Sequence, residues 1–214
     1  MPIVWYTNDA GLTTKQLIDI TIKAATIFSN NGYKGLSFIQ VSIEEAKKHV
    51  ETYEYQMFIA FIKSDELGID PGRSIIKSNG RIGVYENGKW RSFVNMSHSQ
   101  IANHKGDKNY AAGYITAHEV LHQIAAIVSY YTKDDAYVKN FHTSGGNLNT
   151  RGIDTDIPAN AIPDVLQPAE VIPDHLRLIL DPFFLNGERA KMQKCKNAKM
   201  QKCKNAKKTL MDIL

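Results

Sequence analysis

Residues 113–131 read Gly-Tyr-Ile-Thr-Ala-His-Glu-Val-Leu-His-Gln-Ile-Ala-Ala-Ile-Val-Ser-Tyr-Tyr, and the prediction of the fold starts from this stretch. Its only charged residue is Glu119, so we expect a helix that is buried on most of its surface. A buried helix seldom carries a carboxylate and two histidines without partners, because an unpaired buried charge is costly. The simpler alternative is a pair of core histidines bonded to main-chain carbonyls, with a chance glutamate between them.

The two histidines of this helix have the spacing of metal ligands. His118 and His122 are four residues apart, so they share one face of the helix and can hold one zinc ion. Glu119 is rotated by about 100° from His118, so it is not a ligand. It can instead take a proton from a zinc-activated water and pass it to a leaving amine. The pattern H-E-x-x-H therefore favours zinc-dependent hydrolysis.

The residues upstream predict a mixed sheet with two helices. The predicted elements are a strand at Ile3–Tyr6, a helix capped by Thr13 or Thr14 and ended by Gly32, a strand at Leu36–Val41, a short helix opened by Ser42, and a strand at Met57–Ile62 buried on both faces. Asn79-Gly80 and Asn87-Gly88 are signals for two-residue hairpins. They predict a meander of Ile75–Lys77, Arg81–Tyr85 and Lys89–Val94, followed by a polar loop at about 97–109.

Residues 1 to about 145 resemble the zincin metallopeptidases, and most of all their metzincin branch. The resemblance rests on H-E-x-x-H in its helix and on the order strand, long helix, strand, strand, hairpin strands, helix. Ile3 to Phe28 looks like the opening strand and helix of a matrixin-type catalytic domain. The resemblance implies an α+β fold, with a zincin-like mixed sheet, an active-site helix and a long backing helix. It also implies a bound Zn²⁺ and endopeptidase activity.

The chain departs from the metzincin pattern after the second histidine. That pattern continues as H-E-x-x-H-x-x-G-x-x-H, and here Ala125 and Val128 stand at the glycine and third histidine positions. The methionine of the Met-turn is also missing, since no methionine lies between Met96 and Met192. The third metal ligand must therefore come from elsewhere in the chain.

Three regions downstream offer a third ligand. We expect His142 to bind the zinc, because the Gly145-Gly146 pair after it permits a turn that could aim its ring inward. Asp134 or Asp135 is the alternative, in a segment that resembles part of the aspzincin T-x-D-x-x-Y pattern. Glu170 would be the gluzincin-style choice, but it lies between Pro168 and Pro173, which argues against a second helix.

The other histidines and the tyrosines near the motif are given structural roles. His49, His98, His104 and His175 have no partner at ligand spacing, so we expect them on the surface or in loops. Tyr130, Tyr131 and Tyr137 follow the motif. One of them could stabilise an oxyanion, although packing at the helix end is the more conservative interpretation.

The chain as a whole divides into two parts. Residues 1–187 form the predicted metallopeptidase domain, in which 150–187 make a small, irregular, proline-rich C-terminal subdomain. Residues 188–214 form a basic tail with nine basic and two acidic residues. Within it, Lys191–Ala198 recurs unchanged as Lys199–Ala206. We interpret the repeat as a duplication or cloning scar in a solvated tail, and alternatively as a basic arm for an anionic partner.

Composition limits the remaining possibilities. Both cysteines, Cys195 and Cys203, lie in the tail, so a metal in the body must use His, Asp or Glu. We expect no membrane span, because no apolar run reaches about 18 residues. The first residues lack the regions of a signal peptide, so we expect a cytoplasmic protein or a mature or trimmed form.

Three functional hypotheses follow. The first is a monomeric zinc endopeptidase that binds a peptide or protein substrate along an edge strand near Arg81–Tyr85. The second is a catalytically idle zincin-fold binding module, which would not need the carboxylate of Glu119. The third is a DNA-associated protease that uses the basic tail, although the tail has no aromatic residue to stack on bases.

Overall fold

The computed structural model describes residues 2–66, 70–104, 106–133, 180–181 and 183–184. The protein is a mixed α+β fold built on a mostly parallel sheet. The elements are β1 (Ile3–Asn8), α1 (Thr14–Asn30), β2 (Ser37–Gln40), α2 (Ile43–Lys47), β3 (Gln56–Ile62), β4 (Gly72–Ser74), β5 (Tyr85–Glu86), β6 (Lys89–Trp90), β7 (Ser92–Asn95), α3 (Ser99–Ala102) and α4 (Lys108–Thr132).

Five of the strands form one sheet in the order β2-β1-β3-β7-β4. The first four are parallel, and β4 is antiparallel to β7, with Arg73 opposite Phe93. β4 is therefore an edge strand of the sheet. The helix α4 packs near this edge, where it contacts β4, β7 and β3. The predicted fold class is confirmed at the level of an α+β protein with a mixed sheet.

The two long helices cover one face of this sheet. Met57, Ile59 and Phe61 of β3 are fully buried beneath them in one apolar core. The helices α1 and α4 approach closely at Gly113, where an added Cβ would lie 2.7 Å from Cβ of Lys23 and 3.0 Å from the carbonyl oxygen of Ile20. A glycine at this point is what allows the backing helix to pack directly on α4.

The opposite face of the sheet has a smaller cover. Phe58, Ala60 and Ile62 point to this side and pack with Phe93 in a second core. The hairpin β5–β6 lies over it, and the ring of Trp90 stacks on Phe58 with centroids 5.8 Å apart. The prediction that the Met57–Ile62 strand is buried on both faces is confirmed.

The predicted helix ends agree with the structure. Thr13 caps α1 in a capping box with Gln16, and Gly32 follows the helix with φ +92°. Ser42 caps α2, where its side chain accepts a hydrogen bond from the Glu45 amide. These local signals hold because each one satisfies main-chain groups that a helix end leaves unpaired.

The predicted meander is only partly correct. Asn87 and Gly88 have φ of 53° and 75°, so they form the expected type I′ turn between β5 and β6. At the other pair only Gly80 has positive φ, and its flanks meet at a single bridge, Ile76 to Ile82. The predicted strand Lys89–Val94 also divides in two, because β6 stays in the hairpin while β7 joins the main sheet.

The loop predicted at about 97–109 is shorter and more structured than expected. It contains α3, and α4 already begins at Lys108 behind its cap Asp107. Asp107 ends the loop because its Oδ1 accepts a hydrogen bond from the Asn109 amide at 2.9 Å. Within the described residues, none of the helices combines the length and the apolar character that crossing a membrane requires.

Three of the four described residues near the C-terminus, Leu180, Phe183 and Phe184, pack in the main core. Leu180 is fully buried, and the ring of Phe184 lies 5.3 Å from that of Tyr33 and 6.0 Å from that of Phe28. The hydroxyl of Tyr33 donates a hydrogen bond to Asp181 at 2.8 Å. The rest of the predicted subdomain at 150–187, and the whole tail at 188–214, lie outside the described residues.

Candidate metal centre

The predicted site lies on the helix α4, most of which is buried. The helix runs for 25 residues to Thr132 and is followed by its C-cap, Lys133, which has φ 59°. Its residues from Ala111 to Val128 are buried except the two histidines of the motif, which are partly exposed. Because α1 and the sheet enclose the rest of the helix, the histidine face is its main opening among the described residues. This agrees with the buried helix predicted from the sequence.

The rings of His118 and His122 converge. Their Nε2 atoms are 3.0 Å apart, and the rings are nearly perpendicular, with centroids separated by 4.7 Å. Two imidazole nitrogens on one tetrahedral zinc would be separated by about 3.3 Å, given Zn–N distances of about 2.0–2.1 Å. The pair therefore fits a zinc ion after the two nitrogens move apart by a few tenths of an ångström.

The side chain of Glu119 lies against the edge strand β4. This side chain is buried, with 5% of the residue exposed. One carboxylate oxygen, Oε2, accepts a hydrogen bond of 2.8 Å from the hydroxyl of Ser74 in β4. The carboxylate thus has a polar partner in the sheet, which offsets part of the cost of its burial.

Gly72 makes room for this carboxylate. A Cβ at position 72 would lie 2.6 Å from Oε1 and 2.8 Å from Cγ of Glu119, and 2.8 Å from a methyl of Ile115. These distances are well inside van der Waals contact, so a larger residue would displace the glutamate. Gly72 and Ser74 together fix where Glu119 lies, and neither was identified from the sequence.

Gln123 is a second residue that the sequence analysis missed. Its amide is fully buried and makes two hydrogen bonds with the main chain of Phe58, accepting from the amide at 2.9 Å and donating to the carbonyl at 2.8 Å. It also donates to Ser74 Oγ at 3.0 Å. A hydrogen-bonded chain therefore runs from β3 through Gln123 and Ser74 to Glu119. The signal was present, since Gln123 is a polar residue four positions after Glu119 in an otherwise apolar helix.

The predicted third ligands lie outside the described residues. This holds for His142, for Asp134 and Asp135, and for Glu170. Within the described ranges, no three His, Cys, Asp or Glu residues form a group that could hold a metal ion. The structure thus brings two of the predicted ligands together and leaves the third as a prediction.

The other described histidines have structural partners. His98 caps α3, with its Nδ1 accepting from the Gln100 amide at 3.2 Å, and burial lowers its pKa. His49 lies 3.3 Å from a carboxylate oxygen of Glu45. His104 is in a loop, as predicted, but it is buried, and its Nδ1 accepts a hydrogen bond from the Gly106 amide at 3.1 Å. His175 lies outside the described residues.

The tyrosines at the end of α4 pack as the conservative interpretation expected. Tyr131 donates a hydrogen bond to the carboxylate of Glu54 and stacks on Tyr55 at 4.6 Å between centroids. Burial and the Glu54 hydrogen bond raise the pKa of the Tyr131 hydroxyl. Tyr130 lies against Gly80, where a Cβ added to the glycine would be 2.5 Å from the Cβ of Tyr130. Tyr137 lies outside the described residues.

Comparison of the chain with models of known protein families, with curated proteins and with solved structures gives no match.

Proposed function

We propose that the protein is a zinc-dependent endopeptidase in which Glu119 is the general base. The observation that carries the proposal is that the Nε2 atoms of His118 and His122 lie 3.0 Å apart on a buried helix. Glu119, the residue after His118, has its carboxylate hydrogen-bonded to Ser74. Neutral imidazole is a common zinc ligand, and two imidazoles one helical turn apart form a ready half of such a site. His142 is the proposed third ligand, with Asp134 or Asp135 as the alternatives.

Zinc, when bound by these residues, would supply a Lewis acid that polarises a water molecule and the scissile carbonyl. The chain supplies the base. Glu119 accepts the proton of the attacking water and then donates it to the amine of the departing product, so one carboxylate serves both steps. Its hydrogen bond with Ser74 limits its rotamers, and Gln123 in turn orients the Ser74 hydroxyl. A carboxylate held this way loses little freedom on reaching the transition state.

The substrate is proposed to bind along β4 rather than near Arg81–Tyr85. The segment 81–85 is already bonded on both sides, since the Gly83 amide donates to Ile75 at 2.8 Å and the Val84 amide donates to Val50 at 2.9 Å. β4 is the last strand of the sheet, and no described strand pairs with its outer side. An extended peptide can add to such an edge by main-chain hydrogen bonds, next to Glu119.

The test of the proposal is the variant Glu119→Gln. Glutamine keeps the size of the side chain and can still accept from Ser74, so zinc content and folding should remain near those of the wild type. Hydrolysis of a fluorescently labelled, unfolded protein should fall by about 10³-fold, because a general base contributes roughly that much. Glu45→Gln is the matched control, since Glu45 is an exposed carboxylate on α2. Equal hydrolysis by the wild type and Glu119→Gln at equal zinc content would refute the mechanism.

Zinc content separates the metal site from the reaction. His118→Ala and His122→Ala should each lose the metal, whereas His49→Ala should retain it. His142→Ala, measured beside Asp134→Ala and Asp135→Ala, identifies the third ligand. Full zinc content in both motif variants would exclude the proposed centre. Zinc binding without hydrolysis in the wild type would favour the binding module instead.

A further inference from the structure

A polar cleft lies on the other side of the edge strand from Glu119. Its volume is about 490 Å³, and it opens between the hairpin β5–β6, the ends of β1 and β3, and β4. Arg73 of β4 lines it, while the next residue, Ser74, contacts Glu119 on the helix side. Neighbouring residues of a strand point to opposite faces, so β4 separates the cleft from the candidate metal centre.

The charge of the cleft is predominantly positive. Five basic side chains line it, namely those of Lys47, Lys63, Arg73, Lys89 and Arg91, against two acidic ones. The acidic Asp9 accepts a hydrogen bond of 2.6 Å from the indole of Trp90, and Glu66 lies 3.9 Å from Lys89. Within the part of the chain that the structure describes, Lys47 and Lys63 form no ion pair. The cleft thus carries ammonium groups whose charge the described residues do not neutralise.

Arg91 adds an unused donor. Its Nε is buried and has no hydrogen-bond partner among the described residues. The nearest carboxylate oxygen belongs to Glu86 and is 3.7 Å away, beyond hydrogen-bond distance. That carboxylate is already held by Lys77, which donates to both of its oxygens at 2.9 and 3.0 Å. Because the Nε atom is buried, a ligand in the cleft would instead meet the exposed part of the Arg91 guanidinium, whose side chain is 34% exposed.

The wall of the cleft is aromatic. Tyr85 and Trp90 line it beside Phe93, and the ammonium of Lys47 lies 5.3 Å and 5.8 Å from the ring centroids of Tyr85 and Trp90. An apolar wall next to unpaired cations suits a side chain that ends in a carboxylate and has a hydrocarbon stem. The volume is also within the range of pockets that enclose a ligand.

We infer that this cleft binds an acidic segment of a polypeptide, through the carboxylates of aspartate or glutamate side chains. The excess of basic side chains selects an anion, and the adjoining edge of β4 favours an extended peptide, because a peptide can pair with main-chain groups there. Selection of acidic substrates for hydrolysis rests on the proposed function, whereas the binding itself does not.

The experiment uses the full chain carrying Glu119→Gln, so that no peptide is consumed. A fluorescein-labelled peptide rich in Asp and Glu is titrated by anisotropy at low ionic strength, beside the same peptide with Asn and Gln. Only the acidic peptide should bind. The double change Lys47→Gln and Lys63→Gln should weaken its binding by about tenfold, as expected for two exposed charge pairings. Both lysines are exposed, so the fold should be unaffected.

The matched control removes two lysines from equivalent positions of the repeated octapeptide in the tail, Lys194→Gln and Lys202→Gln. This control changes the net charge by the same amount and should leave binding unchanged. An equal loss in both pairs of variants would overturn the proposal, because the basic tail would then account for binding. Tighter binding of a single-stranded oligothymidylate than of the acidic peptide would also overturn it.

The proposed function and this inference fail separately. If Glu119→Gln hydrolysed protein as fast as the wild type, the mechanism would be refuted, and binding to the cleft would still be tested by anisotropy on peptide that mass spectrometry shows to be intact at the end of the titration. If the acidic peptide and its Asn/Gln counterpart bound equally, the cleft would lose its proposed ligand while the zinc and hydrolysis measurements would stand.

Discussion

The two faces of the sheet differ in whether their charged side chains are buried and hydrogen-bonded or exposed to solvent. On the helix face Glu119 is 5% exposed, and its carboxylate is bonded to Ser74. On the hairpin face Lys47 and Lys63 remain exposed at the rim of an open cleft. The difference follows from the cover, because two long helices enclose the first face while a short hairpin with strands of two residues each lies over the second.

The comparison teaches where polar partners are needed. A buried carboxylate on the helix face requires neighbours that bond to it, and the chain provides Ser74 and Gln123. A lysine at the rim of the cleft needs no internal partner, because water solvates it until an anion arrives. Changes to the helix face should therefore cost stability, and changes to the hairpin face should mainly affect binding.

The largest expected effect on stability comes from Gln123→Leu. The leucine would leave the main-chain amide and carbonyl of Phe58 without the hydrogen bonds that Gln123 makes to them. The loss for these two buried groups should lower the free energy of unfolding by about 4 kcal/mol. The free energy of unfolding, measured with urea, checks this. Gln40→Leu is the control, since Gln40 is exposed at the end of β2. Its side chain accepts one long hydrogen bond, of 3.4 Å, from the Tyr6 hydroxyl, so the change should cost less than about 1 kcal/mol. Equal effects of the two changes would show that the Gln123 hydrogen bonds are not needed for stability.

A smaller effect is expected for Gly72→Ala on the helix face. The new methyl would lie 2.6 Å from Oε1 of Glu119, so the carboxylate must move, at a cost of about 2 kcal/mol. If Glu119 is the base, as proposed, hydrolysis should fall as well, since its carboxylate is displaced. Gly83→Ala is the counterpart on the hairpin face, where the new methyl meets Cβ of Arg91 at 3.0 Å and should cost about 1 kcal/mol. Normal hydrolysis in Gly72→Ala would show that the position of Glu119 is not critical.

The smallest effect is expected from removing residues 188–214. This tail is lysine-rich, and the last described residues of the main core, Leu180 and Phe184, precede it in the chain. Both the free energy of unfolding, within about 0.5 kcal/mol, and the rate of hydrolysis should be unchanged. Differential scanning calorimetry of the shortened chain is the measurement. A large drop in its melting temperature would show that the tail packs on one of the two faces.

The sequence predicted those parts of the fold that depend on local spacing. The caps at Thr13 and Ser42, the type I′ turn at Asn87-Gly88 and the buried α4 were all predicted from residues a few positions apart. The edge strand β4 was not predicted, because Gly72–Ser74 has three residues and no alternating pattern. Its role depends on pairing with β7, and such pairings between distant segments leave no local signal.

For the candidate site, the sequence by itself determined which side chains share one helical face. The four-residue spacing of His118 and His122, with Glu119 between them, follows from the period of the helix alone. Only the tertiary structure decided what Glu119 contacts. Gly72, Ser74 and Gln123 come from a strand and a helix that are about 45 residues apart in the chain, and they meet because α4 packs under the edge of the sheet. Packing of distant segments, unlike helical spacing, is set by the sum of many apolar contacts, so it cannot be read from a motif.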